Sequence, residues 1–253
     1  ENNSIWLGSD PSSTTNNALK SVAVGINALN SITEGDYNVA VGYDSLTSLT
    51  TGEYNVASGY ETLSTTTAGR ANVAVGYQSL KSNTEGDYNT AVGHNTLFTN
   101  TTGDDNVAIG YKALRLNTEG HSNVAVGKNA LDANTTADYN CAFGRDALGA
   151  VTTQGQLTAF GDSALAQNTT GAQNTSFGFQ SSYGMTTGDS NTSCGYAALW
   201  TTSTGARNTA IGRDALYSGN GSDNTAVGNE ALENNTASDC TAVGSHALTA
   251  NTT

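Results

Sequence analysis

The sequence NVAVGYDSL, residues 38–46, decides the fold of this chain, because it recurs with small changes from one end to the other. We number each repeat from its glycine, here Gly42, as position 0. Twelve successive intervals between these glycines are 17 residues, and the last two are 16. A fixed short period is typical of a solenoid or fibre, so we predict a single repeat domain over residues 1–253. The position-0 glycines are Gly8, Gly25, Gly42, Gly59, Gly76, Gly93, Gly110, Gly127, Gly144, Gly161, Gly178, Gly195, Gly212, Gly228 and Gly244.

The residues before the glycine predict a short strand. Position −3 is usually Val or Thr, position −2 is Ala in twelve of fifteen repeats, and position −1 is mostly Val, Ile or Phe. Because side chains alternate along a strand, positions −3 and −1 form a bulky face and position −2 and the glycine form a nearly flat one. Two glycines per repeat and little 3.6-residue periodicity exclude a helix. We therefore predict an all-β parallel β-solenoid (β-roll) of about 15 coils.

The residues after the glycine predict a turn around the coil. Position +4 is Leu in thirteen repeats, and we interpret positions +3 to +6 as a second short strand or a corner. A second glycine follows at position +10 in nine repeats, such as Gly35 and Gly52, and suggests a positive φ there. We expect Val at −3 and −1 and Leu at +4 to fill one thin core. A homotrimer around the long axis would cover the strand face that remains.

Stacking the coils places equal positions above one another, about 4.8 Å apart, which predicts a rod of roughly 70 Å. Position −4 becomes an Asn ladder, with Asn in eleven coils, and amide hydrogen bonds can pass along it. Position +8 becomes a Thr ladder, and Tyr recurs at +1 and −5 in what we expect to be surface rows. The structural repeat residues that we single out are Gly25, Leu29, Asn38, Gly42, Leu46, Asn55, Gly59, Leu63 and Asn72.

The charge pattern excludes several classes of partner. The net charge is −13 and there is no basic stripe, so we expect no nucleic-acid partner. No apolar run approaches the ~20 residues of a membrane helix, so we expect no membrane insertion. The chain begins at Glu1 rather than Met, and we interpret it as a mature form or a piece of a longer protein.

The sequence predicts no catalytic residue, no metal site and no cofactor. His94, His121 and His246 stand at different positions of the repeat, and we interpret them as loop residues. Acidic residues near the +10 glycine could bind a cation or serve acid–base chemistry, but a solvated loop edge explains them more simply. These acidic residues include Glu34, Asp36, Glu85, Asp87, Asp104 and Asp105. We therefore expect a protein that is not an enzyme.

The cysteines and the Asn-x-Ser/Thr triplets carry little information. Cys141, Cys194 and Cys240 are three coils apart, roughly 14 Å, whereas a disulfide needs Cα atoms within about 7 Å. We expect no disulfide, no shared metal site, and small core-filling side chains instead. The triplets at Asn100, Asn134 and Asn168 arise by chance in such a composition, and they matter only if the producing cell glycosylates secreted proteins.

The motif NVAVGY-x-x-L, with variants such as NTAIGRDAL at residues 208–216, resembles the head repeats of trimeric autotransporter adhesins. It resembles still more closely the Asn-Thr-Ala-Ile-Gly repeats of phage tail fibres. The resemblance covers essentially the whole chain, although the period is longer than in the adhesin heads. It implies a parallel β-roll, usually of three chains around one axis, that attaches to a host or surface. An extracellular or virion-surface location follows from the same resemblance.

Three functional hypotheses remain open. The first is a non-enzymatic extracellular fibre segment, a shaft or a host-attachment region, whose partners are other copies of itself and a host receptor or glycan. The second is a filament subunit that stacks end to end, because the residues after Gly244 and those up to Gly8 would together make one 17-residue repeat. The third is an ice- or carbohydrate-binding solenoid that uses the Thr ladder or the Tyr rows.

Overall fold

The computed structural model describes residues 4–8 and 18–251, so Glu1 lies outside the described residues. The chain forms two compact units, Glu1–Asn123 and Val124–Thr253. Both are built from short parallel strands, and the described residues contain no helix. The prediction of an all-β parallel β-solenoid with a 17-residue period is confirmed. The single domain over residues 1–253 stays a prediction.

The described residues of the first unit form seven strands and those of the second unit form eight. Those of the first unit are β1 (Ile5–Gly8), β2 (Val22–Gly25), β3 (Val39–Val41), β4 (Val56–Ser58), β5 (Val73–Val75), β6 (Thr90–Val92) and β7 (Val107–Ile109). Those of the second unit are β8 (Val124–Val126), β9 (Cys141–Phe143), β10 (Thr158–Phe160), β11 (Thr175–Phe177), β12 (Thr192–Cys194), β13 (Thr209–Ile211), β14 (Thr225–Val227) and β15 (Thr241–Val243). Within each unit, every strand pairs in parallel with the next one along the chain.

Strand pairing follows the sequence repeat exactly in register. Val39 pairs with Val56, 17 residues later, whereas Thr209 pairs with Thr225 across the shorter, 16-residue repeat. Each short strand is held from both sides, because Val39 N donates to Asn55 O at 2.8 Å and Gly42 N donates to Val24 O at 2.8 Å. Strands this short are stable only because the neighbouring coils satisfy their backbone groups.

The core lies on the flat side of the strand, which corrects the expected packing. Ala40 at −2 and Leu46 at +4 are fully buried, whereas Val41 at −1 is 38% exposed. Positions −3 and −1 therefore face outward instead of filling the core with Leu. The reason is the small cross-section of a 17-residue coil. The Leu at position +4 fits inside it only if the strand contributes a side chain as small as the Ala at position −2. Each buried Leu contributes about 2 kcal/mol.

Positions +1 to +6 form a corner and not a second strand. In every coil from Gly25 onward their backbone enters the left-handed region twice, as at Asp44 and Leu46, which both have φ near 51°. Such a φ costs roughly 1–2 kcal/mol in a residue other than glycine. At Leu46 the full burial of the side chain offsets this cost, together with a hydrogen bond from its N–H to Thr62 O at 3.0 Å.

Close stacking of the coils requires both glycines of the repeat, as the sequence predicted for position 0, whereas for position +10 it suggested a positive φ. Gly42, at position 0, has a φ of 135°, and an added Cβ would collide with the carbonyl oxygen of Gly59. Gly52 and Gly86, at position +10, do not have a φ in the left-handed region, so that prediction was wrong. A Cβ at Gly86 would lie 2.6 Å from Gly103 O, so close stacking of coils requires glycine there.

Two columns of buried asparagine join the coils from inside. At position −4, Asn38 Oδ1 accepts hydrogen bonds from Asn55 N at 2.9 Å and from Asn55 Nδ2 at 3.1 Å, so the expected Asn ladder is present. A second column, which the sequence had not led us to expect, lies at position +7. There Asn100 Nδ2 donates to Asn83 Oδ1 at 2.9 Å, and Asn117 Nδ2 donates to Asn100 Oδ1 at 2.7 Å. The repeated Asn 17 residues apart in these three coils was the available signal.

Candidate attachment surface

The outward strand face, made of positions −3 and −1, is a regular exposed surface of each unit. In the first unit it carries mostly aliphatic side chains, with Ser58 and Thr90 as exceptions, and Val41, Val75 and Ile109 are 37–40% exposed. In the second unit position −3 is Thr from β10 onward, while position −1 carries Phe143, Phe160 and Phe177. We call this surface the outer strand face.

The three phenylalanines of the outer strand face form a stacked column. The ring centroids of Phe143 and Phe160 are 4.7 Å apart, and those of Phe160 and Phe177 are 5.2 Å apart. The coil spacing brings equal positions to stacking distance, so a run of identical aromatic residues becomes a continuous ribbon. Phe177 is nevertheless 42% exposed, which leaves apolar area for a partner to cover.

Position +1 adds an aromatic row beside the outer strand face in the first unit. Tyr43, Tyr60 and Tyr77 stack with centroids 5.3 Å apart, and His94 stacks on Tyr77 at 4.7 Å. His94 lies in the corner after β6, as predicted for a loop residue, and its ring occupies the place that Tyr holds in neighbouring coils. Tyr111 continues the row beyond His94.

A carboxylate beside this row is electrostatically stabilised. Lys81 Nζ forms a salt bridge with Glu61 Oε2, and this hydrogen bond is the main cause that lowers the pKa of Glu61. The pKa of Tyr60 is raised, chiefly by its hydrogen bond to the Glu61 side chain. Both shifts favour a charged Glu61 and a neutral Tyr60, which keeps the exposed edge of the aromatic row polar.

In the second unit the same +1 column begins with charged residues. Arg145 donates to both carboxylate oxygens of Asp162, from Nε at 2.9 Å and from Nη2 at 3.0 Å. This pair lowers the pKa of Asp162, with the hydrogen bond from Arg145 as the largest cause. Exposed ion pairs contribute little to stability, so the column sets surface character more than it holds the fold together.

The repeat residues singled out from the sequence lie beneath this surface. Leu29, Leu46 and Leu63 are fully buried, and Asn38, Asn55 and Asn72 link successive coils. Gly25, Gly42 and Gly59 lie where neighbouring backbones come close. These residues build the scaffold, whereas the residues that can meet a partner are the variable ones at −3, −1 and +1.

The acidic residues near the +10 glycine divide into two sets. Glu34, Glu85 and Asp105 are exposed, as a solvated loop edge requires. In the other set, Asp36 Oδ1 accepts a hydrogen bond from Leu19 N at 2.6 Å, and Asp87 Oδ1 accepts one from Arg70 N at 2.6 Å. Asp104 Oδ1 likewise accepts from Asp87 N at 2.7 Å. These carboxylates therefore satisfy backbone groups of the preceding coil.

The remaining candidate residues have local structural contacts. His121 Nδ1 accepts a hydrogen bond from Asp104 N at 2.9 Å, and His246 Nδ1 lies 2.9 Å from Glu230 Oε2. Cys141, Cys194 and Cys240 are all free thiols. Cys194 is exposed at position −1, so it does not fill the core as expected. Burial raises the pKa of the Cys141 thiol.

The asparagines of the Asn-x-Ser/Thr triplets are inside the coils. Asn100, Asn134 and Asn168 stand at position +7 and are fully buried, so a glycan cannot be attached there in the folded protein. The +8 threonines beside them use their hydroxyls internally, as when Thr101 Oγ1 donates to Thr118 O at 2.9 Å. The hydroxyls of the Thr ladder are therefore engaged with the next coil, which disfavours the ice-binding hypothesis.

Within residues 4–8 and 18–251, no group of three or more His, Cys, Asp or Glu side chains could hold a metal ion. The same stretches contain no helix long and apolar enough to cross a membrane. Comparison with protein-family models, curated proteins and solved structures finds no match for this chain.

Proposed function

We propose that this chain is a segment of a non-enzymatic extracellular fibre, acting as a shaft and as a surface for attachment to a host. In this proposal three copies assemble around a common fibre axis, and the fibre lies outside the cell or on a virion. The resemblance of the repeat to those of phage tail fibres and adhesin heads motivates the proposal. A host receptor or a surface glycan is the expected partner.

The observation that carries the proposal is the outer strand face. Apolar side chains recur there in coil after coil, and Val41, Ile109 and Phe177 each remain 38–42% exposed. Regular exposed apolar surface of this kind marks an interaction site in soluble proteins. Because the column is regular along each unit, an identical column of a second and a third copy is a well-matched partner for it.

Sedimentation mass of the purified chain tests the trimer, with a trimeric mass as the expected result. Phe160→Lys places a charge in the middle of the outer strand face and should shift the mass toward the monomer. Thr153→Lys introduces the same charge at an exposed loop residue of the same unit and should leave the trimer intact. A monomeric mass for the unaltered chain would contradict the trimeric fibre.

End-to-end stacking into a filament is a second candidate. Ile5 of β1 is 56% exposed and Val243 of β15 is 70% exposed, and strand edges of this kind invite the addition of a further strand. Electron micrographs of the purified chain would decide between the two candidates. Filaments that lengthen with protein concentration would support stacking, and separate particles of constant length would count against it.

A further inference from the structure

The second unit contains a cleft that belongs neither to the outer strand face nor to the core. It has a volume of about 450 Å³, within the range of small-molecule sites. Its walls come from the corner positions +1, +2 and +5 of successive coils. The cleft is lined by Gln180, Tyr196, Ala197, Trp200, Asp214, Tyr217 and Glu233.

The cleft exists because one coil lacks a long side chain at position +2. Ala197 stands there, whereas Gln180 in the preceding coil and Asp214 in the following coil carry polar side chains at the same position. All three have the same left-handed backbone, with φ values of 52°, 51° and 54°. Ala197 therefore removes side-chain volume from the column without changing the path of the chain.

Aromatic residues border the cleft on two sides. On the +5 side, Trp200 stacks against Tyr183 at 6.1 Å and against Tyr217 at 5.0 Å between ring centroids. On the +1 side, Tyr196 stacks against Phe179 at 5.4 Å. These columns hold the aromatic walls in place before any ligand arrives, which lowers the entropic cost of binding.

Polar groups that can recognise hydroxyls line the space between the walls. Asp214 and Glu233 supply carboxylates, and Gln180 supplies an amide that both donates and accepts hydrogen bonds. Arg213 Nε lies 3.2 Å from Asp214 Oδ2, so a cation already balances the Asp214 carboxylate. Aromatic walls with a few converging polar groups are suited to a ring that has apolar C–H patches and a rim of hydroxyls.

We propose that this cleft binds a pyranose ring of an uncharged saccharide. The C–H groups of the ring contact the ring of Tyr196 and the ring edges of Trp200 and Tyr217, because both faces of Trp200 are covered by stacked tyrosines. Its hydroxyls donate to Asp214 and Glu233 and pair with Gln180. The site places the carboxylates of Asp214 and Glu233 against the single guanidinium of Arg213, so a net negative charge disfavours acidic sugars and nucleotide phosphates. This inference rests on the proposed attachment function, for which it supplies the chemical class of the receptor.

Tryptophan fluorescence provides the test, because the chain has only two Trp residues, Trp6 and Trp200. In a Trp6→Phe background, the chain is titrated with maltose, cellobiose, lactose and N,N′-diacetylchitobiose. Sialyllactose serves as the acidic comparison and glucosamine as the cationic one. We expect saturable binding of at least one uncharged sugar at millimolar concentration. No response to any uncharged sugar, or a response to charged sugars alone, would overturn the assignment.

Ala197→Gln is the decisive variant, because it fills the cleft and leaves every proposed contact residue in place. The fold accommodates Gln at this position, as Gln78 and Gln180 demonstrate. We expect at least about a tenfold loss of saccharide affinity, equivalent to ~1.4 kcal/mol. Ser163→Gln, which also introduces Gln at position +2 but in another coil, should bind as the unaltered chain does. Undiminished binding by Ala197→Gln would refute the site, whereas a trimeric mass would still support the fibre proposal.

Discussion

Asn100 in the first unit and Asn168 in the second occupy the same position, +7, and both are fully buried. Asn100 stands between Asn83 and Asn117, and its amide exchanges hydrogen bonds with both. Asn168 stands between Val151 and Met185, and neither its Oδ1 nor its Nδ2 has a hydrogen-bond partner. The same residue is therefore satisfied in one unit and orphaned in the other.

This difference shows that the contribution of a buried residue to the stability of a solenoid depends on the residues at the same position in the neighbouring coils. Its own position in the coil does not decide it. A buried amide whose column neighbours are also amides joins a continuous hydrogen-bond ladder. The same amide between apolar neighbours retains the cost of desolvation with no compensating bond, about 1–3 kcal/mol. Position +7 is Asn in three successive coils of the first unit, at Asn83, Asn100 and Asn117, whereas around Asn168 in the second unit Asn alternates with the apolar residues Val151 and Met185.

The largest effect on the free energy of unfolding is expected from a substitution that interrupts the Asn ladder at position +7. Asn100→Leu should lower the free energy of unfolding by about 3 kcal/mol, because it strands buried polar atoms on both neighbours. Asn83 Oδ1 loses its donor and Asn117 Nδ2 loses an acceptor. Urea denaturation followed by circular dichroism measures the loss. Amide hydrogen exchange in the same coil shows whether the loss is local.

The identical substitution in the second unit should raise the free energy of unfolding instead of lowering it. Asn168→Leu removes two unpaired polar atoms, and position +7 already accepts Leu at Leu49, which is fully buried. We expect the free energy of unfolding to rise by about 1 kcal/mol. The two variants are matched controls for each other. Destabilisation of similar size in both would show that column neighbours do not set the value of the residue.

A double-mutant cycle sharpens the comparison. Val151→Asn gives Asn168 an amide neighbour one coil away, so the pair should couple favourably by about 1 kcal/mol. The coupling is the change in the free energy of unfolding that Val151→Asn causes in the unaltered chain, minus the change that it causes in the Asn168→Leu variant. A coupling of zero would mean that the two amides do not bond, and the ladder interpretation would fail at this site.

The smallest effect on stability is expected from the exposed ion pair between Arg145 and Asp162 in the +1 column. The folded-state pKa of Asp162 is lowered by Arg145, so the pair stabilises the fold above the ordinary pKa of Asp and loses this contribution as the pH falls through the lowered value. Arg145→Gln should raise the pKa of Asp162 toward its ordinary value, as followed by NMR titration of its carboxyl carbon. Arg207→Gln should leave Asp162 unchanged, since Arg207 pairs with Asp223. An unmoved Asp162 in Arg145→Gln would remove Arg145 as the cause.

Much of the scaffold could be predicted from particular residues. The spacing of Gly42 and Gly59 predicted the 17-residue period, and Asn38 and Asn55 predicted a ladder that is present. The cleft beside Ala197 was harder to predict than the scaffold. Ala197 looks like any other alanine, and the cleft beside it appears only once Trp200 and Asp214 are placed in neighbouring coils.

The sequence by itself determined the repeat, the strand at its centre and the stacking of equal positions, because a period and an alternation are properties of the linear chain. Only the tertiary structure decided which strand face turns inward. Val41 and Ala40 alternate whichever way the strand faces, and the choice depends on the space left inside a closed coil. The same closure decided which amides, such as those of Asn100 and Asn168, find a partner, because a column forms only when the coils are stacked.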